Sequence, residues 1–142
     1  MRHLLPLITL LLLSLTGFSQ IEFRDVSYAD ALRSAASEDK YLLVDFRADW
    51  CKPCIDMEKT TFQDSTLSSF VNQHLVPLKL DIDIEANKRL ANLFKVNAYP
   101  TLLLIDPSNG VVLLRMIGYK PAKILLGDLK FALPGIDVPD TK

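Results

Sequence analysis

The chain has 142 residues, 49% of them hydrophobic, and a formal net charge of −1 at pH 7. This near-neutral balance offers no electrostatic reason to bind nucleic acid or an anionic membrane surface. The sequence contains 2 cysteines and 2 histidines, whereas a tetrahedral zinc site needs four ligands. Neither His3 nor His74 has a cysteine or the other histidine near it in sequence, so the composition argues against a zinc site.

Residues 1–19 have the three parts of a secretory signal peptide. A short basic start contains Arg2, an apolar stretch follows over residues 4–15, and small residues precede a cleavage site after Ser19. The apolar stretch is shorter than the ~20 residues that span a bilayer. We therefore expect an exported domain over residues 20–142, with a mobile tail from residue 134 onward.

The hydrophobic pattern after the signal peptide predicts alternating strands and helices. In chain order we expect a short edge strand over 21–26, a helix over 27–38 that begins at a capping motif of Ser27 and Asp30, a strand over 41–46 and a helix opened by Cys51. These are followed by a helix capped by Asp64 or Ser65, a strand over 75–82, a helix over 87–94, a hairpin of strands over 101–105 and 111–117, and a helix over 121–131 with Pro121 as its first residue. The strand over 41–46 is apolar apart from Asp45, which is typical of a strand covered on both faces. This order predicts an α/β fold with a central mixed β-sheet flanked by helices on both faces.

Cys51 and Cys54 are separated only by Lys52 and Pro53. The predicted strand-to-helix junction places Cys51 at a helix N-terminus, where free N–H groups and the helix dipole favour a thiolate. Cys54 follows one turn later, close enough to form a disulfide. A structural disulfide that closes so short a loop would stabilise the fold little, and two unreactive core thiols fit poorly with the polar residue between them. The spacing therefore predicts a redox-active pair.

Four short motifs follow one another in the order and spacing of a known family. They comprise residues 44–46, residues 48–54, residues 99–101 and Gly118. On these motifs the chain resembles the thioredoxin-fold family over residues 26–133. Through residues 48–51 and 58–62 it is also similar to the C-terminal periplasmic domain of the thiol:disulfide interchange protein DsbD and to small secreted bacterial thioredoxin-like proteins.

Two residues depart from the thioredoxin pattern. Arg47 stands where thioredoxin has a tryptophan, and Lys52 replaces the glycine between the cysteines. Both put positive charge near Cys51, on what we expect to be a solvated surface. A more stable thiolate would make the pair a stronger oxidant.

The cysteines and two charged residues have expected roles in catalysis. Cys51, with its sulfur outward, attacks as a thiolate, and the less exposed Cys54 resolves the mixed disulfide, which leaves a Cys51–Cys54 disulfide. Asp45 is the expected proton acceptor for Cys54, acting through water, because burial in an apolar strand raises a carboxyl pKa; the alternative is an ordinary edge-facing carboxylate. The resemblance implies that Lys79 accompanies this acid, and the alternative is a solvated lysine at a strand end.

The resemblance also implies a cis peptide bond before Pro100, beside the cysteine pair. The backbone of Tyr99 would then pair with an extended substrate segment, as an added strand does. Trp50 would supply an apolar contact surface next to Cys51, and its alternative role is that of a half-buried packing residue.

Together, the residues and the resemblance predict an enzyme, an exported thiol–disulfide oxidoreductase that works as a disulfide reductase. The alternatives are a disulfide oxidase or isomerase with the same site, or a thioredoxin-fold adaptor with vestigial cysteines. We expect protein thiol or disulfide substrates and a membrane-bound electron donor, in the periplasm or outside a bacterial cell. We expect no cofactor, no metal, no nucleic acid, no membrane insertion after signal cleavage, and a monomer.

Overall fold

Helices and strands alternate along the chain in the computed structural model, which describes residues 20–136. The elements are α1 (Tyr28–Ser37), β1 (Tyr41–Arg47), α2 (Lys52–Lys59), a 3-10 turn (Thr61–Gln63), α3 (Ser65–His74), β2 (Leu75–Asp81), α4 (Glu85–Leu93), β3 (Thr101–Ile105), β4 (Val112–Ile117) and α5 (Ala122–Ala132). The predicted signal peptide and residues 137–142 of the predicted tail lie outside the described residues. Within residues 20–136, no helix combines the length and the apolar character that a membrane crossing requires.

The four strands form one mixed sheet in the order β2-β1-β3-β4. β1 is parallel to β2 and antiparallel to β3, while β3 and β4 form an antiparallel hairpin. This arrangement confirms the predicted α/β class and thioredoxin fold. The parallel pair places Asp45 of β1 opposite Lys79 of β2.

Helices cover both faces of the sheet because its central strands are apolar on both sides. Leu42, Val44 and Phe46 of β1 belong to a core that includes residues of α1 and α4. Leu43 belongs to a second core, built with α2, α3 and α5. Because side chains alternate along a strand, Asp45 points to the same face as Leu43, the face that α2 covers.

Two helices begin at side-chain caps that the sequence predicts. The Ser27 Oγ accepts a hydrogen bond from the Asp30 N–H at 3.1 Å at the start of α1. The Asp64 Oδ1 accepts one from the Leu67 N–H at 2.8 Å at the start of α3. Each acceptor satisfies one of the N–H groups that a helix N-terminus leaves free.

The predicted edge strand over residues 21–26 is wrong. In the described part of the chain, this segment makes only an isolated bridge to β2, at Arg24. The reason is that its amides bond to separate partners: the Ile21 N–H donates to the Phe62 carbonyl and the Arg24 N–H donates to the Pro77 carbonyl. The segment is therefore anchored at two points without forming a ladder.

Two helix starts also differ from the prediction. α4 begins at Glu85, before the predicted start at residue 87, and Pro121 is the N-cap of α5 instead of its first helical residue. Neither boundary has a side-chain cap hydrogen bond. These boundaries therefore lacked the polar capping signal that located α1 and α3.

Candidate active site

The cysteine pair is held at the start of α2. Cys51 is the N-cap residue, and Pro53 lies in the first turn, where its missing N–H has no intrahelical acceptor. The Cys51 Sγ accepts a hydrogen bond from the Cys54 N–H at 3.3 Å, so it occupies the place of a capping oxygen. The two residues form a disulfide, with their Cα atoms 5.3 Å apart.

Exposure does not distinguish the two cysteine residues. Cys51 is 4% exposed and Cys54 is 2% exposed, so the expected outward sulfur of Cys51 is wrong for the disulfide form. Both side chains belong to the core that β1 forms with α1 and α4. Cys51 differs from Cys54 by its position at the helix N-terminus, where a thiolate receives an N–H and the favourable end of the dipole.

Asp45 is a buried acid on the β1 face that α2 covers. The residue is 1% exposed, and its Oδ1 has no hydrogen-bond partner among the described residues. Burial raises the pKa of Asp45 to about 7, although the positive charges of Lys79 and Arg47 act to lower it and the charge of Glu58 adds to the rise. The alternative of an edge-facing carboxylate is therefore wrong.

Lys79 lies opposite Asp45 in the parallel register of β1 and β2. Its Nζ donates a hydrogen bond to the Glu58 Oε1 at 2.6 Å and lies 4.7 Å from the centre of the Phe23 ring. A cation over an aromatic face is held by the ring quadrupole as well as by its salt bridge. Lys79 is therefore fixed beside the acid and is not a freely solvated strand-end lysine.

Glu58 and Arg47 complete a charge network that the sequence did not reveal. The Arg47 side chain is only 8% exposed; it pairs with Asp49, and its Nη2 lies 3.6 Å from the Glu58 Oε2. The expectation that Arg47 lies on a solvated surface is therefore wrong. A sequence signal for Glu58 did exist, because a residue four positions after Cys54 shares its helix face.

Lys52 lies on the surface, as expected, with its side chain 78% exposed. It forms an i,i+4 ion pair with Asp56 within α2. The positive charge between the cysteines therefore has a carboxylate partner on the next turn.

Trp50 presents its ring to solvent next to Cys51. The residue is 65% exposed, so the alternative of a half-buried packing residue is wrong. Its Nε1 donates to both carboxylate oxygens of Asp83, at 3.2 and 3.1 Å. Its ring meets the Tyr99 ring edge-on, with the centroids 6.2 Å apart. Sequence reasoning missed Asp83, since nothing in the chain pattern links the loop after β2 to Trp50.

The Tyr99–Pro100 peptide bond is cis, as the resemblance implied. The Pro100 carbonyl accepts a hydrogen bond from the Gly118 N–H at 2.8 Å, and the Thr101 Oγ1 donates to the Ala98 carbonyl at 2.8 Å. Tyr99 packs against the core that contains both cysteines. The loop before β3 is thus anchored on both sides of Tyr99 and lies against the disulfide region.

Residues 28–133 match the family model of the thioredoxin-like domain. The chain belongs to the thioredoxin-like family. The thioredoxin of Mycolicibacterium smegmatis is 34% identical over 94 residues, which are 66% of this chain and 80% of that protein. The Cys51–Cys54 disulfide gives this family member the cysteine pair that thiol–disulfide exchange requires.

DsbD proteins are also similar to this thioredoxin-like chain. The thiol:disulfide interchange protein DsbD of Ralstonia nicotianae is 28% identical over 113 residues. The match covers 78% of this chain but only 18% of DsbD, so the chain spans about a fifth of the length of that relative. The resemblance to DsbD is confirmed for this domain alone.

Two solved structures share the fold. A candidate disulphide-isomerase from Bacteroides thetaiotaomicron has a TM-score of 0.72 and 38% identity, over 84% of this chain and 98% of that one. The C-terminal domain of Neisseria meningitidis DsbD in its oxidised form has a TM-score of 0.64 and 17% identity, over 79% of this chain and 98% of that one. The second likeness extends to the fold alone.

Proposed function

We propose that this thioredoxin-like protein is a thiol–disulfide oxidoreductase that works as an exported disulfide reductase. The observation that supports it most directly is the Cys51–Cys54 disulfide at the N-terminus of α2, combined with a buried acid on the strand that precedes it. A helix N-terminus activates the first sulfur, and a buried acid near neutral pKa can exchange a proton with the second.

The reaction begins with the reduced protein and a substrate disulfide. The Cys51 thiolate bonds to one substrate sulfur, the substrate S–S bond breaks, and the released sulfur takes up a proton. Cys54 then loses its proton and attacks the Cys51 Sγ, which frees the second substrate thiol and closes the Cys51–Cys54 disulfide. The substrate gains two electrons and the protein loses two, so a dithiol donor must reduce the protein before the next cycle.

Asp45 is the proton acceptor for Cys54 in this scheme, acting through water. A pKa of about 7 lets Asp45 take a proton and return it within the neutral range. Lys79 supports the ionised form of Asp45, because its positive charge acts to lower that pKa. Its salt bridge to Glu58 keeps the ammonium group in place.

The proposed substrate surface consists of Trp50 and Tyr99, and the buried Pro100 shapes the loop that presents Tyr99. The exposed indole of Trp50 offers apolar area beside Cys51. Within residues 20–136, the backbone N–H and carbonyl of Tyr99 have no backbone hydrogen-bond partner. They are therefore available to an extended substrate segment that approaches the disulfide as an added strand.

Export, location and electron source belong to the same proposal. A signal peptide over residues 1–19 would release a domain of residues 20–142 into the periplasm or outside the cell, where it works as a monomer. An oxidising compartment keeps most cysteines paired, so a reductase there depends on a membrane-bound donor. The similarity to one domain of DsbD supports thiol–disulfide exchange with protein partners.

One observation favours a second function with the same site. The Bacteroides thetaiotaomicron neighbour, at 38% identity, is named for disulfide isomerisation. An isomerase makes the same mixed disulfide but lets a substrate thiol, instead of Cys54, resolve it. The third reading, an adaptor with vestigial cysteines, has no use for a buried acid such as Asp45.

The test of the proposed function separates the two sulfurs. Wild-type protein should catalyse insulin reduction when dithiothreitol is supplied, and Cys51→Ser should abolish this activity. Cys54→Ser should instead accumulate mixed disulfides with substrate, visible as slower bands on non-reducing gels, because the resolving step is lost. Equal trapping by both variants would contradict the assignment of Cys51 as the attacking residue.

A further inference from the structure

Arg47, at the end of β1, is a buried arginine beside the redox site. Its Nη1 donates to the Asp49 carboxylate, and its Nη2 lies 3.6 Å from the Glu58 Oε2. The Nε is buried without a hydrogen-bond partner in the described residues. A guanidinium is planar and spans two carboxylates in a fixed geometry. Arg47 therefore joins the loop before Cys51 to the last turn of α2.

Glu58 lies between two cations. Its Oε1 accepts the hydrogen bond from the Lys79 Nζ at 2.6 Å, while its Oε2 faces Arg47. The charge network is therefore continuous across β1, α2 and β2, and it consists of four side chains: Asp49, Arg47, Glu58 and Lys79. Asp45 and Arg47 are two residues apart on β1, so their side chains lie on the same face of the strand, and Lys79 lies opposite Asp45 on β2. The charges of Lys79, Arg47 and Glu58 therefore act on Asp45.

We propose that Arg47 is a positioning residue of the dithiol site, whose guanidinium ties Asp49 to Glu58 and thereby controls proton exchange by Asp45. This inference rests on the proposed role of Asp45 in the reductase cycle. It concerns a residue that this chain carries in place of the tryptophan of thioredoxin.

The link that Arg47 makes between Asp49 and Glu58 acts on Asp45 in two ways. The positive charge of Arg47 favours the ionised form of Asp45. The guanidinium also holds Glu58 in place, and the negative charge of Glu58 opposes the ionised form of Asp45. Burial by itself would lower the pKa of the Arg47 guanidinium, but the hydrogen bond to Asp49 and the charges of Glu58, Asp49 and Asp45 together raise it. Arg47 therefore stays charged while Asp45 titrates.

The test is a carboxyl ¹³C NMR titration of Asp45 in the oxidised full domain. In Arg47→Leu the midpoint should rise by about one pH unit, because an opposite charge near a carboxyl lowers its pKa by 1–3 units and is now missing. Arg47→Lys keeps the positive charge but cannot span both carboxylates. Glu58 is then no longer held in place and its negative charge acts less on Asp45, so we expect the midpoint to fall below that of the wild type. Arg24→Leu is the matched control, since Arg24 is also salt-bridged, to Glu38 at 2.7 Å, but does not act on Asp45.

Each outcome decides the proposal. An unchanged midpoint in Arg47→Leu would overturn the proposal. A midpoint in Arg47→Lys that equals or exceeds the wild-type midpoint would show that Arg47 acts through its charge alone, and would overturn its role in holding Glu58. If Arg47→Leu does not fold, a lowered midpoint in Arg47→Lys supports the role of Arg47 in holding Glu58 by itself. The resolution rate of the mixed disulfide in Asp45→Asn tests the proposed cycle separately, because an unchanged rate there removes Asp45 from the mechanism without altering the titration result.

Discussion

Asp45 is a carboxyl group in a strand whose other buried side chains are apolar, except for Arg47 at the end of the strand. Its Oδ1 lacks a partner in the described structure, and an unpaired polar atom in a core reduces stability. A side chain that lowers stability and could be replaced by an apolar one is a candidate for function. The role of Asp45 can therefore be tested by two measurements on a variant: the rate at which the mixed disulfide is resolved, and the free energy of unfolding.

Asp45→Asn should slow the resolution of the mixed disulfide, most strongly near pH 7, because the acceptor for the Cys54 proton is lost. Loss of a positioned acid or base typically lowers a rate 10²–10⁴-fold; with water as a substitute acceptor we expect about the lower bound. Stopped-flow decay of a preformed mixed disulfide across pH 6–8 measures this step. Unchanged decay over that range would exclude Asp45 from the mechanism.

The same variant should change stability in a pH-dependent way. Folding raises the pKa of Asp45 from 3.8 to about 7, so between these values the folded chain binds more protons than the unfolded chain. The stability contributed by protonated Asp45 is complete below about pH 4 and is lost as pH rises through about 7. At pH 8, Asp45→Asn should therefore raise the free energy of unfolding by up to about 4 kcal/mol.

Urea denaturation of the oxidised protein at pH 4 and pH 8 measures this difference. Asp25→Asn removes an exposed carboxylate and serves as the control; we expect it to change stability equally little at both pH values. A gain for Asp45→Asn that is the same at pH 4 and pH 8 would show that its carboxyl does not titrate in the folded state.

At the scale of the element, α3 depends on a cap that the sequence identifies. Asp64→Ala should remove the acceptor for the Leu67 N–H and lower the free energy of unfolding by about 1 kcal/mol. Ser65→Ala is the matched control, because Ser65 is exposed and is the first residue of the helix. Urea midpoints of the two variants compare them directly, and equal losses would refute a specific capping role for Asp64.

Elements with a local signal were predictable, and contacts between distant elements were not. The apolar run of β1 and the Asp64 cap can be read within a few residues, so the helices and strands were found close to their positions. The salt bridge from Lys79 to Glu58 and the hydrogen bond from Trp50 to Asp83 join residues 21 and 33 positions apart. Such contacts depend on how strands and helices pack, which no local pattern encodes.

The expectation that Arg47 lies on a solvated surface was wrong for the same reason, because it depends on a contact between distant elements. An arginine at the end of a strand is usually solvated, since burying an unpaired charge is costly. Here two carboxylates, Asp49 and Glu58, compensate the buried guanidinium. Asp49 is only two residues away in sequence, but only the packing of α2 against the end of β1 brings Glu58 within reach of Arg47, so the sequence did not show that Arg47 is buried between two carboxylates.

At the scale of the whole molecule, the charges around the disulfide are balanced by pairs. Arg47 faces Asp49 and Glu58, and Lys52 pairs with Asp56 on the next turn. A paired charge favours a nearby thiolate less than a free one, because its partner's opposite charge partly cancels it. The two positive residues that distinguish this chain from thioredoxin are therefore weak reasons to expect a strong oxidant.

The reduction potential of the Cys51–Cys54 pair tests this balance and decides the direction of electron flow. Known potentials extend from about −270 mV for thioredoxin to about −120 mV for the oxidase DsbA. Because the added charges are paired, we expect a value nearer to that of thioredoxin, measured by equilibration with glutathione buffers. Lys52→Gln should change this value little, since the exposed Lys52 charge is already screened by Asp56 and by salt. A potential above about −150 mV, together with no insulin reduction, would instead identify the protein as an oxidase.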